Sequence, residues 1–175
     1  AVEAMKVLIR WMFISILIMG SMTQFAIAQA EKNPYGGTAV PAPAPTEVIL
    51  TVSNASIIKN YSMNDLKKLN PISITIYEPF VRKRQTFLAI PFSRFATDAK
   101  IPKKAKLSTI ALNDYIYSNT LSNFVKAKGH IAIALAGKPI SYDQGGPIRI
   151  IFPTDSVWAK NLDPWNWSLR RILVK

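Results

Sequence analysis

The sequence predicts a mixed α+β domain, in which short helices lie between the strands of mixed β-sheets. Short segments of alternating apolar and polar residues recur along the chain, and helix-start signals fall between them. These segments follow no regular strand–helix–strand period, which favours α+β over a parallel α/β sheet. Removing an N-terminal 30 residues from the 175 leaves 145, which is enough for one domain with its own core.

The elements follow from local patterns along the chain. From Glu47 onward, alternating apolar residues predict a first strand. Ser62 can cap a helix that continues to residue 69, with Asp65 three residues after the cap. Further strands are predicted at residues 72–77, 107–113, 130–136, 148–152 and 167–174, and further helices at 92–99 and 120–127.

The N-terminus has the residue order of a secretory signal. Lys6 and Arg10 precede an apolar run at residues 11–22, and an Ala-x-Ala pattern closes at Ala28 and again at Ala30. The run is shorter than the roughly 20 residues that a transmembrane helix needs, so an uncleaved membrane span is the weaker alternative. We therefore expect cleavage near Ala28 or Ala30 and a periplasmic location.

The chain divides into three parts by composition. Residues 1–30 form the expected signal peptide, and residues 1–4, which precede the first methionine, are expected to be an artefact of the gene start. Residues 31–46 are rich in proline and alanine, with Pro41, Pro43 and Pro45 alternating with other residues, as in an extended linker. Residues 47–175 are predicted to be the folded domain.

Composition leaves little room for catalytic or metal chemistry. The chain has no cysteine and one histidine, His130, which opens an apolar strand and is expected to be an ordinary strand residue. A Ser-His-Asp or Cys-His site needs an imidazole base, and a zinc site needs clustered Cys, His or carboxylate ligands. We therefore expect no catalytic residue and no metal site, and stability that comes from packing without disulfides.

Several segments occur in a distinctive order: the helix at 62–69, the strand at 74–80, the segments 87–92 and 111–115, the Gly-Gly-Pro-Ile-Arg turn at 145–149 and the loop at 163–167. Together they resemble the sulfite oxidase-like, molybdopterin-binding domain. In that family the strand ends with Cys-Val-Glu and an aromatic residue, and Ile76 stands here where the molybdenum-ligating cysteine would fall. The resemblance implies a pterin-binding scaffold without the thiolate that holds the metal.

The resemblance also implies a set of ligand contacts. A polar residue before the family's Gly-x-Pro-x-Arg turn and the arginine of that turn contact the phosphate tail of the cofactor, and these positions are Gln144 and Arg149 here. Gly145 lets the backbone approach a ligand closely. Asp114 and Tyr115 match the family's Ala-x-Asp-Gly-Tyr segment, without its glycine.

The last matching loop is rich in tryptophan. A flat pterin with hydrogen-bonding edges suits an aromatic face beside an amide, which Trp165, Asn166 and Trp167 can supply. Alternate tryptophans at the start of a strand are also common core residues. We therefore expect at least one of the two tryptophans to be core, and Asn166 to have the strongest claim to a ligand role.

A strong basic surplus suggests an acidic partner. The chain has 22 Lys and Arg residues against 10 Asp and Glu, a net charge of +12. Two basic clusters flank the helix predicted at 92–99, and their candidate partner-binding residues are Arg82, Lys83, Arg84, Lys103 and Lys104. A solvated face is the alternative for either cluster. No interleaving of aromatic residues suggests nucleic-acid binding.

Together these features predict a periplasmic, non-catalytic protein that binds a metal-free pterin. It resembles PruR-type regulators, and the resemblance implies that it modulates a membrane-bound signalling partner, an enzyme of cyclic-di-GMP metabolism. One alternative is a molybdopterin-binding oxidoreductase subunit that holds the complete cofactor. Another is a basic module of the cell envelope surface with a degenerate site.

Overall fold

A computed structural model describes residues 41–56 and 58–175 of the chain. The expected signal peptide and residues 31–40 of the expected linker lie outside the described residues. The strands are β1 (Val48–Ser53), β2 (Ile58–Ser62), β3 (Ile72–Glu78), β4 (Lys83–Pro91), β5 (Lys106–Ala111), β6 (Ile116–Thr120), β7 (His130–Leu135), β8 (Arg149–Ile151) and β9 (Leu169–Val174). The helices are α1 (Met63–Lys67), α2 (Phe92–Asp98) and α3 (Leu121–Lys126), with a 3-10 turn at Tyr142–Gln144.

The strands form two sheets. One has five strands in the order β2-β1-β9-β5-β6, and the other has four in the order β3-β4-β7-β8. All pairs are antiparallel except β1 with β9, which run parallel. This arrangement confirms the predicted mixed α+β class with short interspersed helices.

Buried side chains from both sheets and all three helices form one hydrophobic cluster. Leu50 and Ile172 come from the five-stranded sheet, Phe87 and Ile150 from the four-stranded sheet, and Phe124 from α3. Phe124 stacks on Phe92 of α2, with ring centroids 4.8 Å apart. Because both sheets share this cluster, loops from one sheet can form a common site with loops from the other.

Each strand predicted from the sequence is present, and the structure adds β2, β4 and β6. In these three strands the alternation is interrupted by polar or charged residues, as in Lys83-Arg84-Gln85 at the start of β4. The helix predicted to continue to residue 69 ends at Lys67, although its start is confirmed by a capping box between Ser62 and Asp65. The last strand begins at Leu169 and not at Trp167, because Ser168 has a left-handed φ of 49°.

The described end of the predicted linker contacts the domain. Asn64 donates its backbone N–H to the carbonyl oxygen of Pro45 at 3.0 Å, and Glu47 donates its N–H to that of Ala44 at 2.9 Å. Within residues 41–56 and 58–175, no helix is both long and apolar enough to cross a membrane.

A tight turn precedes β8 and depends on Gly146. The N–H of Gly146 donates to the carbonyl oxygen of Ser141 at 2.8 Å. A Cβ atom at position 146 would lie 1.8 Å from the carbonyl oxygen of Ile140. Because that neighbour is backbone, any side chain at position 146 would have to displace the chain on the other side of the turn.

We predict that Gly146→Ala lowers the free energy of unfolding by about 3 kcal/mol, at the upper end of the usual cost of overpacking, because a backbone atom cannot move aside. Gly137→Ala is the matched control, since no atom lies within 4 Å of its added Cβ and only its φ of 75° disfavours a side chain. It should cost about 1–2 kcal/mol. Urea denaturation measures both, and equal losses would contradict the steric argument.

Candidate functional site

An aromatic-lined cleft opens where loops from the two sheets meet. It has a volume of about 280 Å³ and is lined by Phe80, Ala111, Asn113, Tyr115, Leu162, Asp163, Trp165 and Trp167. We call it the aromatic cleft. Phe80 follows β3, residues 111–115 lead from β5 to β6, and residues 162–167 precede β9. Three separate turns therefore supply its walls.

The first wall is held by a buried carboxylate. One oxygen of Glu78, Oε2, accepts the backbone N–H of Val81 at 2.7 Å and so closes the turn between β3 and β4. Phe80, in this turn, packs against Trp167 with ring centroids 4.9 Å apart, and against Trp165 at 6.3 Å. The turn therefore presents an aromatic ring to the cleft.

The second wall is Tyr115. Its hydroxyl donates to the carbonyl oxygen of Asp163 at 3.1 Å. This bond joins the β5–β6 turn to the loop at residues 162–167, which we call the tryptophan loop. Partial burial raises the pKa of Tyr115, and the negative charge of Asp163 raises it further. The tyrosine therefore stays neutral and able to donate a hydrogen bond through the physiological pH range.

Hydrogen bonds to the interior of the protein hold the tryptophan loop in place. Trp165 is buried and donates its Nε1–H to the carbonyl oxygen of Trp158 at 3.0 Å. Asn166 is fully buried and donates through Nδ2 to the carbonyl oxygen of Thr109 at 3.0 Å. The backbone carbonyl oxygen of Asn166 accepts the backbone N–H of Ile150 at 3.0 Å. Asn166 thus links β5, β8 and the loop.

Two polar atoms in this loop lack a hydrogen-bond partner among the described residues. They are Oδ1 of Asn166 and Nε1 of Trp167, and both are buried. An unsatisfied buried polar group costs about 1–3 kcal/mol. Such groups are uncommon in folded proteins and call for an explanation. Trp167 lines the aromatic cleft, whereas Asn166 is fully buried and does not line it.

Arg149 lies beneath the cleft in a buried ion pair. Only 2% of its surface is exposed, and its Nη2 donates to Oε1 of Glu78 at 2.7 Å. Its Nη1 donates to the carbonyl oxygen of Gln144 at 2.9 Å. The guanidinium carbon lies 4.3 Å from the ring centroid of Trp167, a cation–π distance. One side chain therefore joins the β3–β4 turn, the 3-10 turn and the tryptophan loop.

Gly145 makes room for Trp167. Its φ is 84°, and a Cβ at this position would lie 2.6 Å from the indole ring of Trp167. Its carbonyl oxygen also accepts the N–H of Ser168 at 2.8 Å. The ring of Trp167 therefore lies directly against the backbone of Gly145. The sequence predicted a close approach at this glycine by a ligand, and the structure places an indole ring there.

The structure brings together most of the residues predicted to bind the ligand. Tyr115, Trp165 and Trp167 line the cleft, and Gln144, Gly145 and Arg149 form the layer beneath it. Asn166 contacts Thr109 inside the protein, and Asp114 is an exposed ion-pair partner of Arg170. Their contacts with a ligand stay predictions. Arg149 is 2% exposed, so contact with a phosphate would require this side chain or the groups that cover it to move.

Five residues that line the cleft were not among the candidates: Phe80, Ala111, Asn113, Leu162 and Asp163. Phe80 carries a signal that could have found it, because the family strand also ends with a glutamate and an aromatic residue. Asn113 and Asp163 lie in the segments 111–115 and 163–167 that carry the resemblance, but no role was predicted for either side chain, since only the fold places the two together. Glu78, which was not a candidate, proves to be the buried partner of Arg149.

The cleft is suited to a flat ligand that donates hydrogen bonds. Its lining contains one carboxylate, Asp163, one side-chain amide, Asn113, and no Lys or Arg. Within the described parts of the chain, no group of three or more His, Asp or Glu residues could hold a metal ion. Ile76, at the family's thiolate position, is fully buried. The residues present thus fit a pterin ring and do not fit a thiolate-bound molybdenum.

His130 behaves as the strand residue that the sequence predicts. Its Nδ1 lies 2.7 Å from the carbonyl oxygen of Lys128, and burial lowers its pKa. It does not line the aromatic cleft.

The two basic clusters lie at opposite ends of β4. The first cluster is exposed at the start of β4, next to the turn that carries Phe80, and consists of Arg82, Lys83 and Arg84. Lys103 and Lys104 follow α2, which begins where β4 ends. Eight residue steps along β4 at about 3.4 Å each separate the two ends by about 27 Å. Only the first cluster adjoins the aromatic cleft.

Comparisons with known proteins agree with this architecture. The sulfane dehydrogenase SoxCD from Paracoccus pantotrophus is similar in structure, with a TM-score of 0.58 and 12% sequence identity. The match covers 76% of this chain and 39% of the SoxCD chain, so this chain spans well under half of that protein's length. No family model and no curated protein matches the sequence. The fold is sulfite oxidase-like.

We predict that Arg149→Leu lowers the free energy of unfolding by about 3–5 kcal/mol, because it leaves the carboxylate of Glu78 buried without its partner. The double variant Glu78→Leu/Arg149→Leu should recover much of this loss, since no charge then remains buried. Urea denaturation of both variants measures the difference. A double variant less stable than Arg149→Leu would show that the pair does more than neutralise a charge.

Proposed function

We propose that the protein binds a metal-free pterin in the aromatic cleft and acts as a ligand sensor without turnover. The observation that carries this proposal is the convergence of Phe80, Tyr115, Trp165 and Trp167 on one cleft that also holds an amide and a carboxylate. The sulfite oxidase-like fold supports it, because the sequence resemblance associates this end of the fold with a pterin.

The size and walls of the cleft favour a single fused ring system. A volume of about 280 Å³ lies just below the range for small-molecule sites, which starts near 300 Å³, so the cleft suits a small ligand. Stacking of a planar base on an aromatic side chain contributes about 1–3 kcal/mol. The exposed ring of Tyr115 and the rings of Phe80 and Trp167 can each offer such a face.

The polar groups of the cleft favour a pterin without a phosphate tail. The carboxylate of Asp163 can accept hydrogen bonds from the amino group and ring N–H of a pterin, and the amide of Asn113 can both donate and accept. No cation lines the cleft to balance a phosphate, and Arg149 already neutralises Glu78. Moving Arg149 to a ligand would leave that carboxylate buried alone, at a cost of about 3–5 kcal/mol.

A sensory role fits the absence of the family's redox centre. A thiolate is the soft ligand that holds the metal in the resembling family, and this sequence contains no cysteine. We propose that ligand binding here changes the affinity for a partner. The periplasmic location expected from the N-terminus makes the periplasmic domain of an inner-membrane signalling protein, such as a cyclic-di-GMP enzyme, the partner that we propose.

The β3–β4 turn can connect the ligand to such a partner. Phe80 forms a wall of the cleft, while Arg82, Lys83 and Arg84 extend from the same turn into solvent. A ligand that moves or orders Phe80 therefore also acts on the basic cluster. Ligand can shift docking only if the docked and free states bind it with different affinity, and we propose that the turn, which reaches both the cleft and the basic cluster, provides this difference.

We predict that Tyr115→Leu weakens pterin binding about 5- to 100-fold, through the loss of about 1–3 kcal/mol of stacking. Tyr77→Leu is the matched control, because Tyr77 is equally exposed on β3 but does not line the cleft. Titration of pterin fluorescence with each purified variant measures the affinity. Equal affinities for the two variants would exclude the aromatic cleft as the site.

We predict that reversing the charges of Arg82 and Arg84 to Glu weakens retention of the membrane partner, and that wild-type retention depends on both pterin and salt. The control Lys67→Glu/Lys138→Glu makes the same change of charge at exposed positions outside this turn. Co-purification from envelope extracts with and without added pterin measures retention. If neither pterin nor the charge reversal changes it, the sensory role is wrong and a stand-alone binding protein remains.

A further inference from the structure

A second pocket lies between α2 and α3, at the end of β4 away from the aromatic cleft. Its volume is about 370 Å³. Its floor is apolar, from Ala96, Ile101, Leu121 and Val125, and Lys103 and Lys126 stand at its edge. We call it the helix groove. Val125 is 40% exposed, so part of the apolar surface is open to solvent.

The fold gathers further lysines around this groove. Lys106 lies opposite Thr120, the residue before α3, in the β5–β6 pair. The N–H of Leu121 donates to the carbonyl oxygen of Ala105 at 3.0 Å, so the chain that carries Lys103, Lys104 and Lys106 runs beside the start of α3.

Exposed Lys100 and Lys126 complete this lysine cluster, which consists of Lys100, Lys103, Lys104, Lys106 and Lys126. Within the described part of the chain none of these five lysines forms a salt bridge. The nearest carboxylate along the chain, Asp98, is already paired with Lys59 at 2.7 Å. The cluster therefore carries uncompensated positive charge around an apolar opening.

We propose that the helix groove binds an anionic phospholipid at a membrane surface, with the lysine cluster on the headgroup phosphates and the start of an acyl chain on the apolar floor. The two halves of the groove match the two halves of this ligand. Basic residues beside a membrane are attracted to its anionic lipids, and each one adds to the binding free energy. Buried apolar area adds to that attraction.

An acidic protein segment explains the groove less well. Carboxylates could pair with the lysine cluster, but the apolar floor would be matched only if the segment also carried an apolar side chain at the right spacing. A lipid uses both features at once. Along the chain the helix groove lies beyond the end of β4 and the turn that carries Phe80 lies before its start, and the two pockets share no lining residue, so lipid binding can leave the aromatic cleft accessible. This inference is therefore independent of pterin binding.

The test measures sedimentation of the chain with two kinds of vesicle, phosphatidylcholine alone and phosphatidylcholine mixed with phosphatidylglycerol. We expect preferential binding to the mixed vesicles that falls as salt rises. Lys103→Glu/Lys126→Glu should weaken this binding about tenfold or more. Arg82→Glu/Arg84→Glu is the matched control, with the same change of net charge at the other end of β4, and should bind as the wild type does.

A second variant tests the apolar floor. Val125→Gln keeps the charge and should weaken binding to the mixed vesicles about two- to fivefold without changing its dependence on salt. Every variant is made in the same form of the chain, so a difference between variants cannot come from residues 1–30. Unchanged thermal unfolding confirms that the exposed substitutions leave the fold intact.

Two results would overturn the proposal. Equal weakening by the two double variants would show that net charge alone attracts the protein to the vesicles. Displacement from the vesicles by soluble polyglutamate, together with wild-type binding of Val125→Gln, would assign the lysine cluster to an acidic protein. Pterin affinity measured on Lys103→Glu/Lys126→Glu keeps this test separate from the proposed function, since it should not change.

Discussion

The candidate site depends on the buried ion pair between Glu78 and Arg149. Glu78 closes the β3–β4 turn through the N–H of Val81, and Arg149 binds the Gln144 carbonyl while its guanidinium faces the ring of Trp167. A charge inside a protein is stable only when it is paired and hydrogen-bonded, so the two side chains constrain each other's position. The β3–β4 turn, the 3-10 turn and the tryptophan loop are thereby held together beside one cleft. In this chain the arginine expected to contact a ligand also supports the aromatic wall that a ligand would meet.

This arrangement changes what the sulfite oxidase-like fold can hold. Without a thiolate, and with the arginine turned toward Glu78, the site offers aromatic faces, one amide and one carboxylate. We propose that these groups recognise the shape and the N–H donors of a ring, since the lining of the cleft contains no cation and no thiolate. The two basic clusters are then free for other roles. One extends from the turn that bears Phe80, and the other surrounds the helix groove at the opposite end of β4, so the two ends of this strand can serve a ligand-dependent contact and a membrane contact.

Local patterns in the sequence predicted much of the fold. The capping box at Ser62 was recognisable because its partner, Asp65, is three residues away. Strands β2, β4 and β6 were missed because their stability comes from neighbouring strands and not from a regular apolar pattern. In the site, Tyr115, Trp165 and Trp167 were found through residue type and the resemblance. Asn113 and Asp163 were not, although both lie in segments that carry the resemblance, since residue type alone does not show that their side chains meet at one cleft. Asn166 contacts Thr109, and Asp114 pairs with Arg170. The sequence could not predict either contact, because the partners are 57 and 56 positions apart in the chain.

By itself the sequence determined the α+β class, the absence of any thiolate ligand, the basic surplus and the presence of an aromatic-rich loop after a glycine-rich turn. These properties depend on composition and on patterns only a few residues long. Only the tertiary structure decided that Arg149 meets Glu78, that Phe80 and Tyr115 meet the tryptophan loop, and that Lys126 joins the lysines that follow α2. These contacts join residues far apart in the chain, and they form because both sheets share one hydrophobic core that sets where their loops can lie.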